Sequence, residues 1–142
     1  MKKEHQKQII QLINQDYKNL WNKKEASPFN IEEASGVYLK DDGLTIIDPD
    51  FKMIDKDAPT KVTGYQKVMP QLAAPWEMIS EGGINEIFNI DIKVMDDTAF
   101  VSFDARGKMR FTNNETLDLL RNVTQLLKNT ESGWRIAYEH VS

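Results

Sequence analysis

The second half of this chain carries runs in which apolar and polar residues alternate one for one, and that pattern constrains the fold more than any other feature. A period of two suits a strand with one buried and one wet face; a helix repeats its faces every three to four residues. Ala99, Val101, Phe103 and Ala105 fall on one side of one run, against Phe100, Ser102, Asp104 and Arg106. The run before it, from Ile84 to Met95, sets Ile84, Phe88, Ile90, Ile92 and Val94 against Asn85, Asn89, Asp91 and Lys93. Asp96-Asp97 lies between them, so the pair is expected to form a long hairpin, with Gly107 as a bulge that bends its second strand. Asn113-Asn114 turns the chain again, Leu117 to Lys128 reads as a third strand, and Trp134 to Ser142 reads as the last.

The first half follows helical spacing. Ile9, Ile10, Leu12, Ile13, Tyr17, Leu20 and Trp21 recur in steps dominated by three and four, which predicts one amphipathic helix from about Lys2 to Glu25. Ser27-Pro28 stops it. A short helix is expected from Asn30, with Asn30 as its cap, Glu33 three residues on, and Ile31, Ala34, Val37 and Tyr38 buried. Asp41-Asp42-Gly43 is a turn, Leu44 to Ile47 a short strand, and Asp48-Pro49-Asp50 its end. Residues 51–61 read as a loop or an irregular edge strand. Tyr65 to Ser80 is helical in character, but Pro70 and Pro75 predict two short pieces, which Glu81-Gly82-Gly83 then ends. Helices first and an antiparallel meander afterwards indicate an α+β fold, with helices on one face of a curved sheet.

At 142 residues the chain is expected to form a single domain over its whole length. A net charge of -4 argues against nucleic acid or an anionic membrane as the main partner, since both reward a basic surface. The absence of cysteine excludes disulfides, thiolate nucleophiles and cysteine metal sites, and fits a cytoplasmic protein. The two histidines, His5 and His140, stand far apart in sequence, and no Gly-rich phosphate loop is present, so neither a metal nor a cofactor is expected. No apolar stretch approaches the roughly 20 residues of a membrane span.

Strict alternation through the closing strand puts Trp134, Ile136, Tyr138, His140 and Ser142 on one face. Large aromatic groups with polar tips suit a pocket wall. His140 is a candidate acid–base residue, against a role in one structural hydrogen bond. Asp48 is the second catalytic candidate, against the plainer reading that Asp-Pro makes a good turn. Arg121 shares a face with Leu117, Leu119, Val123 and Leu127 and must find a partner there: a ligand anion, a backbone carbonyl, one of Asp104, Asp118 or Glu139, or a dimer face. Tyr17 and Trp21 lie on the apolar side of the first helix, where core packing competes with ligand contact.

Asp48-Pro49 at a strand end, Gly64 before a helix, and Gly133-Trp134-Arg135-Ile136 followed by His140-Val141-Ser142 together resemble the nuclear transport factor two-like, or SnoaL-like, superfamily. The resemblance implies a long first helix, two shorter helices and a strongly curved antiparallel sheet forming a cone. It also implies a pocket between sheet and helices, and a homodimer through the sheet's outer face. The fold hosts isomerases, cyclases, dehydratases, hydrolases and association domains, so it does not settle function. In its ketosteroid isomerase branch an aspartate in the context of Asp48 is the base, and a tyrosine in the place of Tyr17 steadies the oxyanion. The protonated late-strand aspartate of that branch has no clear match, Asp118 standing only at the strand's start. The resulting expectation is a homodimeric pocket protein for a small, largely apolar molecule with one polar or anionic group. Its ligand-binding residues are Tyr17, Trp21, Arg121, Trp134 and Tyr138. The alternatives are a cofactor-independent isomerase, cyclase or dehydratase acting through Asp48 or His140, and a homo-oligomeric association module.

Overall fold

The computed structural model describes residues 2–24, 27–53 and 55–142. Helix α1 (Lys2–Gln11), a π-helical stretch (Leu12–Tyr17) and α2 (Lys18–Leu20) run on without a break, since Gln11 and Lys18 both keep helical backbone angles. Ile9, Leu12, Ile13, Tyr17 and Leu20 form the buried stripe, while Ile10 is left 42% exposed. The helix ends sooner than its apolar spacing predicts. Asn22–Lys23 form strand β1, and the expected end at Glu25 lies outside the described residues. Helix α3 (Ile31–Ser35) begins as its cap residue requires, with the Asn30 side chain accepting the Glu33 N–H at 2.9 Å. Ala34, Val37 and Tyr38 are buried behind it, but Ile31 faces out.

Strand β2 (Thr45–Ile47), a 3-10 turn (Pro49–Met53) and strand β3 (Lys61–Thr63) follow. Helix α4 (Tyr65–Trp76) is one piece, not two, although Pro70 and Pro75 both lie inside it. Pro70 is exposed, and so is Gln66, whose carbonyl it leaves without a helical partner. The loss therefore falls on the wet side, while Tyr65, Val68, Met69, Leu72 and Trp76 anchor the other. Near the C-terminal end, Pro75 interrupts little of the ladder.

Four long strands complete the chain: β4 (Ile79–Met95), β5 (Thr98–Phe111), β6 (Thr116–Thr130) and β7 (Gly133–Val141). The sheet runs β1-β4-β5-β6-β7-β2-β3. All pairings are antiparallel except β2 with β7, which is parallel, so the sheet is mixed and not purely antiparallel. Val101, Phe103, Val123, Leu127 and Ile136 face inward and share one core with Ile9 and Ile13 of α1. No helix among the described residues is long and apolar enough to cross a membrane.

The sheet bends where β4 slips against β5. The register shifts between Ile79 and Glu81, between Ile84 and Glu86, and between Phe88 and Asp91. The bulges thus lie on β4, and Gly107 on β5 is not one of them. Its role is clearance, because a Cβ on Gly107 would stand 1.8 Å from the Gly83 carbonyl oxygen. Nor do Gly82 and Gly83 break the chain before the strand, since β4 runs through both. Gly107→Ala is expected to cost about 3 kcal/mol, the upper range for overpacking. Gly43→Ala, whose new Cβ would meet only the Asp41 side chain, should cost far less. Urea unfolding of the two variants beside the wild type measures the difference.

Candidate functional site

The inward face of the sheet and the end of the first helix leave a cavity of about 110 Å³. Leu72, Trp76, Ile79, Ile84, Met109 and Leu119 make its wall mainly apolar, and Tyr17 and Trp21 close it from the helix side. Asp48, Asp50, Arg121 and Glu139 are its charged lining residues. The volume is below the roughly 300 Å³ at which drug-sized pockets begin, and nearer the roughly 150 Å³ that holds a benzene ring.

The parallel pairing of β2 with β7 brings the carboxyls together. Ile46 pairs with Glu139, both point inward, and Asp48 follows Ile46 by two residues. Asp48 does make the turn: its Oδ1 accepts the Asp50 N–H at 2.9 Å, and its own N–H donates to the Thr60 carbonyl at 2.8 Å. It lines the cavity at the same time. Burial pushes its carboxyl up to about 7, with the charge of Asp50 adding to the shift. Arg121 reaches across from β6 and pairs with Asp50, Nη2 to Oδ1 at 3.2 Å, and not with Asp104, Asp118 or Glu139.

Glu139 is 2% exposed. Its Oε1 accepts the Tyr38 hydroxyl at 3.0 Å, Tyr38 accepts the Trp21 indole N–H at 3.1 Å, and Gln125 Nε2 donates to Glu139 Oε2 at 2.6 Å. Burial raises this carboxyl to about 7, although the donors Gln125, Tyr38 and Tyr17 act in the other direction. Burial, followed by the nearby Glu139, raises both Tyr17 and Tyr38 well above the ordinary tyrosine value, so both hydroxyls keep their protons. The Gln125 Oε1 is buried and has no hydrogen-bond partner among the described residues.

Tyr17, Trp21, Asp48 and Arg121 therefore meet at one cavity, and three other expected site residues do not. Leu127 pairs with Ile136 but Leu126 pairs with Tyr138, so Ala137 is an extra residue in β7. Strict alternation fails at that bulge. Trp134 and Ile136 point inward before it; Glu139 and Val141 do so after it. Tyr138 and His140 are turned to the outer face, where both are exposed. Trp134 is buried outside the cavity lining, edge-on to His5 at 5.4 Å between ring centroids. Glu139 is the site residue that reading by alternation passes over, because one bulge decides its side. Asp50 and Phe51 come to the cavity by the 3-10 turn, which has no apolar periodicity to mark it.

Between about pH 4.5 and 7 the folded protein keeps a proton on Glu139 that the unfolded chain has released. Glu139 therefore makes stability fall as pH rises through that window and level off above it. Glu139→Gln should lessen the fall, leaving the part that Asp48 contributes over the same window, because the amide still accepts from Tyr38 and can donate to Gln125 Oε1 once the Gln125 amide turns over. Chemical denaturation at pH 5 and pH 8 is expected to show the variant more stable than the wild type at pH 8.

The SnoaL-like domain family matches residues 41–142. Curated protein sequences give no match. Among solved structures, a nuclear transport factor 2-like superfamily protein from Salmonella enterica serovar Typhimurium aligns at a TM-score of 0.73 and 15% identity, over 100% of this chain and 92% of that one. A hexachlorocyclohexane dehydrochlorinase, LinA type 2, aligns at 0.71 and 11%, over 96% and 83%. The association domain of C. elegans CaMKII aligns at 0.63 and 12%, over 99% and 96%. At these identities the structures show a shared fold and nothing finer. The family match over residues 41–142 shows that this chain belongs to the SnoaL-like domain family, and the solved structures share its nuclear transport factor two-like fold.

Proposed function

We propose that the protein binds a compact, mainly apolar molecule in this cavity, oriented by Asp48. The supporting observation is an apolar cavity that ends in a carboxylate with only one bound donor, the Asp50 N–H, among the described residues. Apolar walls with few convergent polar groups are the usual form of a small-molecule site. Arg121 takes part through Asp50, holding the 3-10 turn against the cavity mouth. Titration with benzyl alcohol, followed through tryptophan fluorescence, should saturate. Leu119→Trp, which fills the cavity, should abolish the response, and an unresponsive wild type would count against the reading.

The carboxyl of Asp48, lifted to about 7, favours a second reading in which the site moves a proton. A structural neighbour whose name denotes removal of hydrogen chloride from hexachlorocyclohexane is compatible with such chemistry on this fold. Asp48 is the base in this reading, with the Tyr17 hydroxyl as donor to the developing oxyanion. Exchange of the α-protons of 3-cyclohexenone in D2O, followed by NMR, should rise as pH passes through about 7. Asp48→Asn should slow it by about a hundredfold, the lower range for loss of general base catalysis. Equal exchange by the wild type and the variant would remove this reading.

The partner proposed for the outer sheet face is a second copy of the chain. Phe100, Leu126 and Tyr138 are cross-strand neighbours there, with Phe100 48% and Tyr138 37% exposed, and Leu120 on the same sheet is 64% exposed. Sedimentation equilibrium should give a dimer, and Phe100→Asp with Tyr138→Asp a folded monomer.

A further inference from the structure

The polar end of the cavity is short of donors. Asp48 receives one backbone N–H, while Glu139, which also lines the cavity, has its two oxygens bound by Tyr38 and Gln125 and draws on the Tyr17 hydroxyl as well. Its charge balance is equally one-sided. Three carboxyls, Asp48, Asp50 and Glu139, face one guanidinium, Arg121. That guanidinium is already engaged, by Asp50 at 3.2 Å and by the Leu120 carbonyl at 3.1 Å. An anion entering here would meet carboxyls before it met a cation without a partner, contrary to what a lone arginine on an apolar strand implies.

The remaining wall is aromatic. Trp21 and Trp76 meet edge to face, 6.1 Å between centroids, and both line the cavity. Such rings present the apolar surface that a ligand's hydrocarbon needs, and the Lys23 ammonium, 5.3 Å from the Trp76 ring centroid, is held outside the cavity lining by the Trp76 carbonyl at 2.8 Å. An ammonium has three donors and no acceptor, which complements a surface whose shortage is of donors.

We propose that the cavity selects a compact amine in its ammonium form, with its charge at the open oxygen of Asp48 and its hydrocarbon against Trp21 and Trp76. The inference rests on the small-molecule reading above and adds the ligand's charge. The groups that face Asp48 are Tyr17 from the helix, Tyr38 from the segment after α3, Asp50 from the 3-10 turn, Arg121 from β6 and Glu139 from β7. Both tyrosines keep their protons, so among the groups facing Asp48 only Arg121 opposes the cation, and Asp50 offsets it. Binding of the ammonium favours ionised Asp48, because an opposite charge close by holds a carboxyl in its charged form.

Three probes of nearly equal shape separate the cases by titration calorimetry at pH 7.5: benzylamine, benzyl alcohol and benzoate. Benzylamine is expected to bind at least tenfold more tightly than benzyl alcohol, with benzoate weakest. Asp48→Asn should bring the amine down to the level at which the same variant binds the alcohol. Arg121→Gln, which removes the opposing cation but keeps a side-chain amide that can donate toward Asp50, should widen the lead of the amine; a narrower lead overturns the proposal. Alcohol binding as tightly as amine, or benzoate binding most tightly, overturns the selection of charge while leaving the small-molecule reading standing. Binding of none of the three overturns both.

Discussion

A sheet of this length can wrap one helix only if its strands bend, and here the bending depends on register slips. The slips in β4 curve the sheet, and the close passage of Gly83 over Gly107 lets the outer turn of the curve close without a side chain in the way. The slip at Ala137 in β7 does something different, because it exchanges the faces of the residues beyond it. Without it Tyr138 and His140 would point into the core and Glu139 out. Curvature and the chemistry of the interior are therefore set by the same device, a residue added to one strand and not to its neighbour.

The interior that results is costly. Two carboxyls are taken largely out of water, and burial pushes both up to about 7. A globular core does not need either of them, and burying them opposes folding at the pH where carboxylates are normally charged. Tyr38, Gln125 and the Trp21 indole form a hydrogen-bonded support around Glu139, and Asp50 with Arg121 does the same beside Asp48. These supported, costly groups are the ones on which the proposed function rests. Relatives by fold include an enzyme named for dehydrochlorination and a kinase association domain, so the fold leaves the purpose open and the side chains have to decide it.

The element order was legible in the sequence because local patterns cause it. The helical spacing up to Trp21, the Asn30 cap, the Asp96-Asp97 turn and the inward set Ala99, Val101, Phe103 and Ala105 all appear where propensity and periodicity put them. Two local readings failed for tertiary reasons. Pro70 does not break α4, because the carbonyl it leaves unpaired lies on the exposed side while the opposite face is fixed in the core. The first helix stops at Leu20 because the next residues are taken as a strand against Gly82 and Gly83, more than fifty positions away.

Local pattern suffices for the class of fold, for the buried faces of the first helix and of β5, and for placing Tyr17, Trp21, Asp48 and Arg121 on faces that a core or a cavity can use. Tertiary structure alone decided which partners those residues meet. Arg121 finds Asp50, 71 positions away, because a 3-10 turn with no sequence period delivers it. Glu139 enters the interior and His140 leaves it because the parity of a strand is a cumulative property. One extra residue reverses every side chain after it, and only pairing with β6 and β2 reveals where that residue is inserted.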